Sequence, residues 1–186
     1  MNYTRETFHV TQTSLPPIAE YTNYLHKIWN NGWVTNNGEL VKELEIQLKH
    51  NLEVANIQYV SNGTVALQLA VNSLNLYGKV ITTPYSYVAT SNAIHWENFK
   101  PVFVDIDPIT FCIDASKIEE AIDEETVAIV ATHVYGYPCD VEAIQTIADQ
   151  YNLKVIYDGA HAFGVRLNGQ SIFNFGDVST ISFHAT

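Results

Sequence analysis

The chain has 186 residues, of which 47% are hydrophobic and 16% charged; that is enough apolar material to bury one core and too little charge for a disordered tail. Nine Lys and Arg against twenty Asp and Glu leave a formal charge of −11, so the surface repels phosphate backbones and anionic lipid, and neither nucleic acid nor membrane is an expected partner. No apolar run reaches the roughly eighteen residues that cross a bilayer, and the start, MNYTRETFHV, is polar where a secretory signal would be apolar. A soluble, cytoplasmic protein is the expectation. Cys112 and Cys139 stand 139 − 112 = 27 positions apart, which fits neither a disulfide framework nor a structural zinc site and agrees with a reducing compartment.

Two helical stretches come first, Ile18 to Asn30 and Gly38 to Asn51, joined by the turn-rich WNNGWVTNNGEL. That loop reads either as a plain connector or as a loop folded over a ligand. The chain then alternates short β-branched runs with amphipathic stretches, the pattern of an α/β layer architecture. Strands are predicted at Ile57 to Val60, Val80 to Thr83, Pro101 to Asp105, Val127 to His133, Lys154 to Asp158 and Val178 to Phe183. Helices are predicted at Thr64 to Leu76, Ser86 to Glu97, Ala115 to Ile122 and Val141 to Tyr151, the last with Asp140 at its N-cap. Near-continuous apolar strands imply a sheet covered on both faces, its strands parallel and joined by right-handed crossovers. The expected organisation is an N-terminal helical arm over 1–55 followed by a sheet domain over 56–186. No terminal helix closes the sheet after the last strand, so the chain reads as a fragment of a longer protein.

Four segments carry chemistry. In QYVSNGTVALQLAV a strand-like run enters Ser61, Asn62, Gly63 and Thr64 and then a helix, which puts free N–H groups and a positive dipole end at the turn. This is an anion cradle or simply a capped helix. It lacks the spacing of a dinucleotide or nucleotide-triphosphate loop. LKVIYDGAHAFG delivers Asp158 at a strand's carboxyl end, where open α/β sheets bind ligands, with His161 shortly after. The carboxylate fits a metal ligand, a partner for a protonated ring nitrogen, or a helix cap. A metal is the weaker reading, because Asp105 ends another strand but no closed ligand set is spaced around it. His133 and His161 also read as hydrogen-bonded strand-end residues. ITTPYSYVATSNAI places Tyr85 and Tyr87 at a helix start, where an aromatic can stack on a planar ligand or pack in the core. GDVSTISFHAT brings Ser182 and His184 to another strand end.

Taken in order, WVTNNGELVKELE, SNGTVALQLA, VITTPYSYVAT, KPVFVDID, THVYG, VIYDGAHAFG and GDVSTISFHAT resemble the N-terminal half of the DegT/DnrJ/EryC1/StrS family of pyridoxal phosphate-dependent nucleotide-sugar aminotransferases. Individually weak, the seven are specific in register, and they span roughly residues 11–186. The resemblance implies the fold type I aminotransferase large domain, a mixed, mostly parallel sheet between helices. A smaller C-terminal domain, absent from this chain, would follow, and the enzyme would be a homodimer. It also implies roles. Gly63, Thr64 and Ser182 would hold the cofactor phosphate. Tyr87 would stack on the pyridine ring, and Asp158 would pair with the ring nitrogen and keep it protonated. His161 would lie beside the phenolic oxygen, and the loop with Thr35 and Asn36 would approach the substrate. A Schiff-base Lys is expected immediately after Thr186, outside the chain. The implied reaction moves an amino group from glutamate to a keto-sugar of a nucleoside diphosphate, a 4-keto-6-deoxy sugar by expectation, for lipopolysaccharide or related glycans. Two alternatives stay open: a sugar 3-dehydratase of the same family, with His in place of that Lys, and a non-catalytic ligand-binding or regulatory protein with this fold.

Overall fold

A computed structural model describes residues 13–184. The polar start of the predicted arm and the last two residues of SFHAT lie outside them. Two compact units are distinguished, one of residues 13–44 with His184 and the other Glu45–Phe183.

In the first unit, α1 (Ile18–Asn31) ends on Gly32, whose N–H returns to the Ile28 carbonyl at 2.9 Å. The following loop is tied to itself. The Trp33 N–H donates to Asn31 Oδ1 at 2.8 Å, and the Trp33 indole donates to the Asn36 carbonyl at 2.9 Å. Asn31 then reaches Glu39 at the start of α2 (Glu39–Asn51), and Lys27 pairs with Glu43. Ile18, Tyr21 and Trp29 of α1 are exposed, as are Trp33 and Val34 of the loop.

The second unit is built on a five-stranded sheet of β1 (Lys79–Thr82), β2 (Lys100–Phe103), β3 (Thr126–Thr132), β4 (Lys154–Asp158) and β7 (Val178–Thr180), in the order β2-β1-β3-β4-β7. Every neighbouring pair is parallel. The chain runs from β1 to β2 at one edge and then returns to place β3 on the other side of β1. The order therefore reverses between β1 and β3, the kind of point at which ligand crevices open. Strand residues alternate between two covers. Val80, Ala128, Val130, Ile156 and Val178 pack with α3 (Gly63–Ser73) and α4 (Val88–Trp96), while Ile81, Ile129, Ala131, Val155 and Tyr157 pack with α5 (Val141–Tyr151). Asp140 caps α5 as its position predicts, accepting from the Ala143 N–H at 3.0 Å.

Three predicted elements differ. Ile57 to Val60 is not a strand, because no neighbour offers it a ladder: the Tyr59 N–H is satisfied instead by Glu45 Oε1 at 2.7 Å. Ala115 to Ile122 forms two short 3₁₀ turns, Ala115–Lys117 and Glu119–Ala121, since Ile118 is the one fully buried anchor in the run. The last strand stops at Thr180. A short hairpin of β5 (Arg166–Leu167) and β6 (Gln170–Ser171), turned by Asn168-Gly169, went unpredicted. Cys112 and Cys139 are free thiols buried in the α5-side core. Among the described residues, no helix is long and apolar enough to cross a membrane, and no group of three His, Cys, Asp or Glu is placed to hold a metal.

Candidate functional site

The site is assembled where β3, β4 and β7 end. Asp158 is the last residue of β4 and is only 4% exposed. Its Oδ2 accepts 2.7 Å from the Thr90 hydroxyl and its Oδ1 accepts 3.1 Å from the Ala160 N–H. Both donors are neutral. No cation reaches this carboxylate among the described residues, although burying a charge without a partner is costly. Asp158 therefore has the features of half an ion pair, and its missing half fits a positively charged N–H of a bound ring.

From Asp158 the chain turns sharply through Gly159, whose N–H donates to the Thr180 carbonyl at 2.8 Å. A Cβ there would stand 2.5 Å from the Phe173 ring and 2.9 Å from that carbonyl, so only glycine lets β4 and β7 close on each other. Two residues past Thr180, Ser182 meets the start of α3: a Cβ on Gly63 would lie 3.1 Å from the Ser182 Cβ and 3.2 Å from its Oγ. Asn62 caps this helix by accepting from the Val65 N–H at 2.9 Å. The amides of Gly63 and Thr64 come earlier in the first turn, where no carbonyl of the helix can reach them. The positive end of α3, the half-buried Thr64 and the Ser182 hydroxyl thus converge on a cradle suited to a phosphate.

Helix α4 supplies the next parts. Tyr87 is its N-cap and is 75% exposed, its carbonyl accepting from the Thr90 N–H at 3.1 Å. One helical turn thereby presents an aromatic ring outward and a hydroxyl inward to Asp158. His161 is exposed, and its Nδ1 accepts from the Tyr135 N–H at 3.2 Å. A ring nitrogen that accepts carries no proton, which leaves Nε2–H as the donor. The Tyr135 ring lies parallel to it, 5.9 Å away at 2°. Tyr135 makes this contact from a left-handed backbone, φ 53° and ψ 22°, strain of the kind that collects at ligand sites. Its hydroxyl lies 3.1 Å from that of Tyr85, a contact that raises the Tyr85 pKa, and Tyr85 in turn stacks on Phe111.

Gly63, Ser182 and Asp158 are thus linked through Gly159 and Thr180, with Tyr87 joined to Asp158 through Thr90. Thr35 and Asn36 belong to the other compact unit, where both are exposed. Sequence reasoning missed Thr90 and Tyr135. The three-residue step from Tyr87 to Thr90, one helical turn, was the available signal for the first; nothing in a tyrosine foretells a left-handed backbone for the second.

The DegT/DnrJ/EryC1/StrS aminotransferase family matches residues 18–186. A relative from Shigella dysenteriae described as dTDP-4-amino-4,6-dideoxy-D-glucose transaminase is 54% identical over 177 residues, covering 95% of this chain and 48% of its own length. The crystal structure of DesI with its TDP-sugar product superposes with a TM-score of 0.90 at 32% identity, over 94% of this chain and 44% of that one. NtdA from Bacillus subtilis with bound PMP superposes at 0.81 and 34% identity, over 90% of this chain and 38% of that one. The chain spans about half the length of the curated relatives it matches.

Proposed function

Because the chain belongs to the DegT/DnrJ/EryC1/StrS aminotransferase family, we propose that the whole protein is a pyridoxal phosphate-dependent aminotransferase. It moves an amino group from glutamate to the keto-sugar of a nucleoside diphosphate. The observation that carries this reading is the buried Asp158 carboxylate, held by two neutral donors and, among the described residues, by no cation. A protonated pyridine nitrogen is the complement it needs, and the helix N-terminus at Gly63 and Thr64 with the Ser182 hydroxyl beside it suits the phosphate at the other end of the same molecule. When bound, pyridoxal phosphate supplies an electron-withdrawing ring that stabilises negative charge at the carbon losing its proton.

The chain's own residues then divide the work. Asp158 holds the proton on the ring nitrogen, and Tyr87 covers one face of the ring. The Gly63 and Thr64 amides with the Ser182 hydroxyl fix the phosphate. His161 offers its Nε2–H to the phenolic oxygen, and the family resemblance assigns Thr35 and Asn36 to the sugar substrate. The lysine expected after Thr186 lies outside these residues. The relative at 54% identity and DesI both handle thymidine-linked sugars, which favours a dTDP-4-keto-6-deoxy sugar and a role in lipopolysaccharide or related glycans. The exposed apolar side chains of α1 and its loop favour a homodimer, and the chemistry suits the cytoplasm, where nucleotide sugars are made.

The test is direct. The full-length protein is incubated with glutamate and dTDP-4-keto-6-deoxyglucose, and products are followed by mass spectrometry. An aminated sugar nucleotide with equimolar 2-oxoglutarate is expected; absence of both with cofactor bound would discard the reading.

A further inference from the structure

Three threonine hydroxyls surround Asp158 on one face of the sheet. Thr132 on β3 and Thr180 on β7 are its register neighbours on either side, so their side chains share its face. Thr90 comes from α4, which packs over that face. All three are buried, at 3%, 6% and 1% exposure. Yet Thr90 is the one that donates to the carboxylate, at 2.7 Å; the hydroxyls of Thr132 and Thr180 have no partner among the described residues. Proximity alone does not produce the bond. Thr90 makes it from the first turn of α4, where its own N–H is held by the Tyr87 carbonyl.

We propose that Thr90 is a positioning residue, its hydroxyl fixing the Asp158 carboxylate in the orientation that pairs with a pyridine nitrogen. The inference rests on the reading above and extends it to a residue outside the cofactor's immediate contacts. Among the described residues Asp158 bears no other side-chain hydrogen bond, its second donor being the Ala160 amide of the following turn. Without Thr90 the carboxylate is held at Oδ1 by the Ala160 amide alone, and its buried Oδ2 is left short of the donor that fixes it. The same helical turn carries Tyr87, so one short segment sets both the ring's stacking face and its charged partner.

The experiment uses full-length protein and two cofactors: pyridoxal phosphate and 1-deazapyridoxal phosphate, in which a C–H replaces the ring nitrogen. Thr90→Val keeps the shape and removes the donor. It is expected to weaken pyridoxal phosphate binding about tenfold while leaving the deaza analogue within about twofold, since that analogue makes no use of the carboxylate. Thr90→Ser is expected to restore binding to within about threefold. Thr132→Val removes an equally buried hydroxyl and is expected to change neither affinity. If the valine variant loses its fold by circular dichroism, Thr90→Ala carries the same expectation. Equal weakening of both cofactors, or none, would overturn the inference about Thr90. A parent protein that retains no pyridoxal phosphate would overturn both this inference and the reading on which it rests.

Discussion

One residue apart at the ends of β3 and β4, the sheet buries two polar groups on opposite faces, and the protein treats them differently. His133, fully buried on the α5 side, stacks on Tyr157 at 4.7 Å and 16°, and its Nδ1 accepts the Cys139 N–H at 3.0 Å. Burial pushes its pKa down to about 4. It is therefore a neutral ring at physiological pH, and a neutral ring can remain in a core without a counter-charge. Asp158, on the α3 and α4 side, is a carboxylate with neutral donors only. The first group needs no counter-charge, although its Nε2 has no hydrogen-bond partner among the described residues, whereas the second calls for something cationic that the described residues do not supply. Burial of a polar residue at a strand end does not by itself mark a site; what marks it is a charge left uncompensated.

The largest way to break this contrast is Asp158→Asn in the full-length protein. The amide keeps the shape and can still accept from Thr90, but it cannot hold a proton on the ring nitrogen. Transamination is expected to fall on the order of 10²- to 10³-fold, the range of about 3–4 kcal/mol associated with losing a buried charge partner. Cofactor-free protein should melt close to the parent, because removal of the uncompensated buried charge offsets the Ala160 bond that the amide NH2 cannot accept. Steady-state rates with glutamate and a melting curve check both; activity within twofold of the parent would sink the pairing role.

The second prediction acts on the opposite face through pH. His133 has a folded pKa of about 4 against about 6.5 unfolded, so between those values the unfolded chain binds a proton that the folded chain refuses. Stability must then fall as pH falls from about 6.5 toward 4. Going from pH 7 to pH 4.5 should cost about 2–3 kcal/mol from this group. The carboxylates held low by their partners, among them Asp107 and Asp114, lose most of their contribution at lower pH, so the larger part of the slope across this window belongs to His133. In His133→Asn the side-chain oxygen can accept from Cys139 but does not titrate, and urea unfolding at the two pH values should show most of the slope gone. An unchanged slope would place the acid sensitivity elsewhere.

What was legible in advance followed the same division. The runs VAIVAT and KVIYD announced β3 and β4, because strands buried on both faces have little choice but to be apolar. Asp158 stood out as the charge ending such a run, and Gly63 as the small residue where a helix starts. Thr90 did not, since a threonine in a short helix looks the same whether it faces solvent or a carboxylate. Ile57 to Val60 had strand composition without a neighbour to pair with, and pairing is a tertiary fact. Between Ala115 and Ile122 the apolar positions suited a helix but were too few to hold one together without the 3₁₀ turns that Asp114 starts, its side chain accepting from the Ser116 N–H. The same limit separated His133 from His161. Both follow a strand, and only the folded chain reveals that one is sealed under α5 while the other is exposed against Tyr135.

The smallest expected effect sharpens the comparison most, because stability and function should move in opposite directions. Gly63 opens α3 with an ordinary backbone, not the left-handed one that would require glycine. In a helix, alanine is better than glycine by up to about 1 kcal/mol, so on stability grounds Gly63→Ala should be neutral or favourable. The new Cβ would sit 3.1 and 3.2 Å from the Ser182 Cβ and Oγ, close enough that Ser182 must shift by a few tenths of an ångström. That shift moves a hydroxyl that the proposed reading assigns to the cofactor phosphate. The melting temperature should therefore hold or rise while pyridoxal phosphate retention on dialysis falls by about tenfold, the equivalent of one charge-assisted hydrogen bond at about 1.5 kcal/mol. Retention unchanged in a stabilised variant would show that glycine is merely tolerated at this position and that the phosphate does not sit at the head of α3.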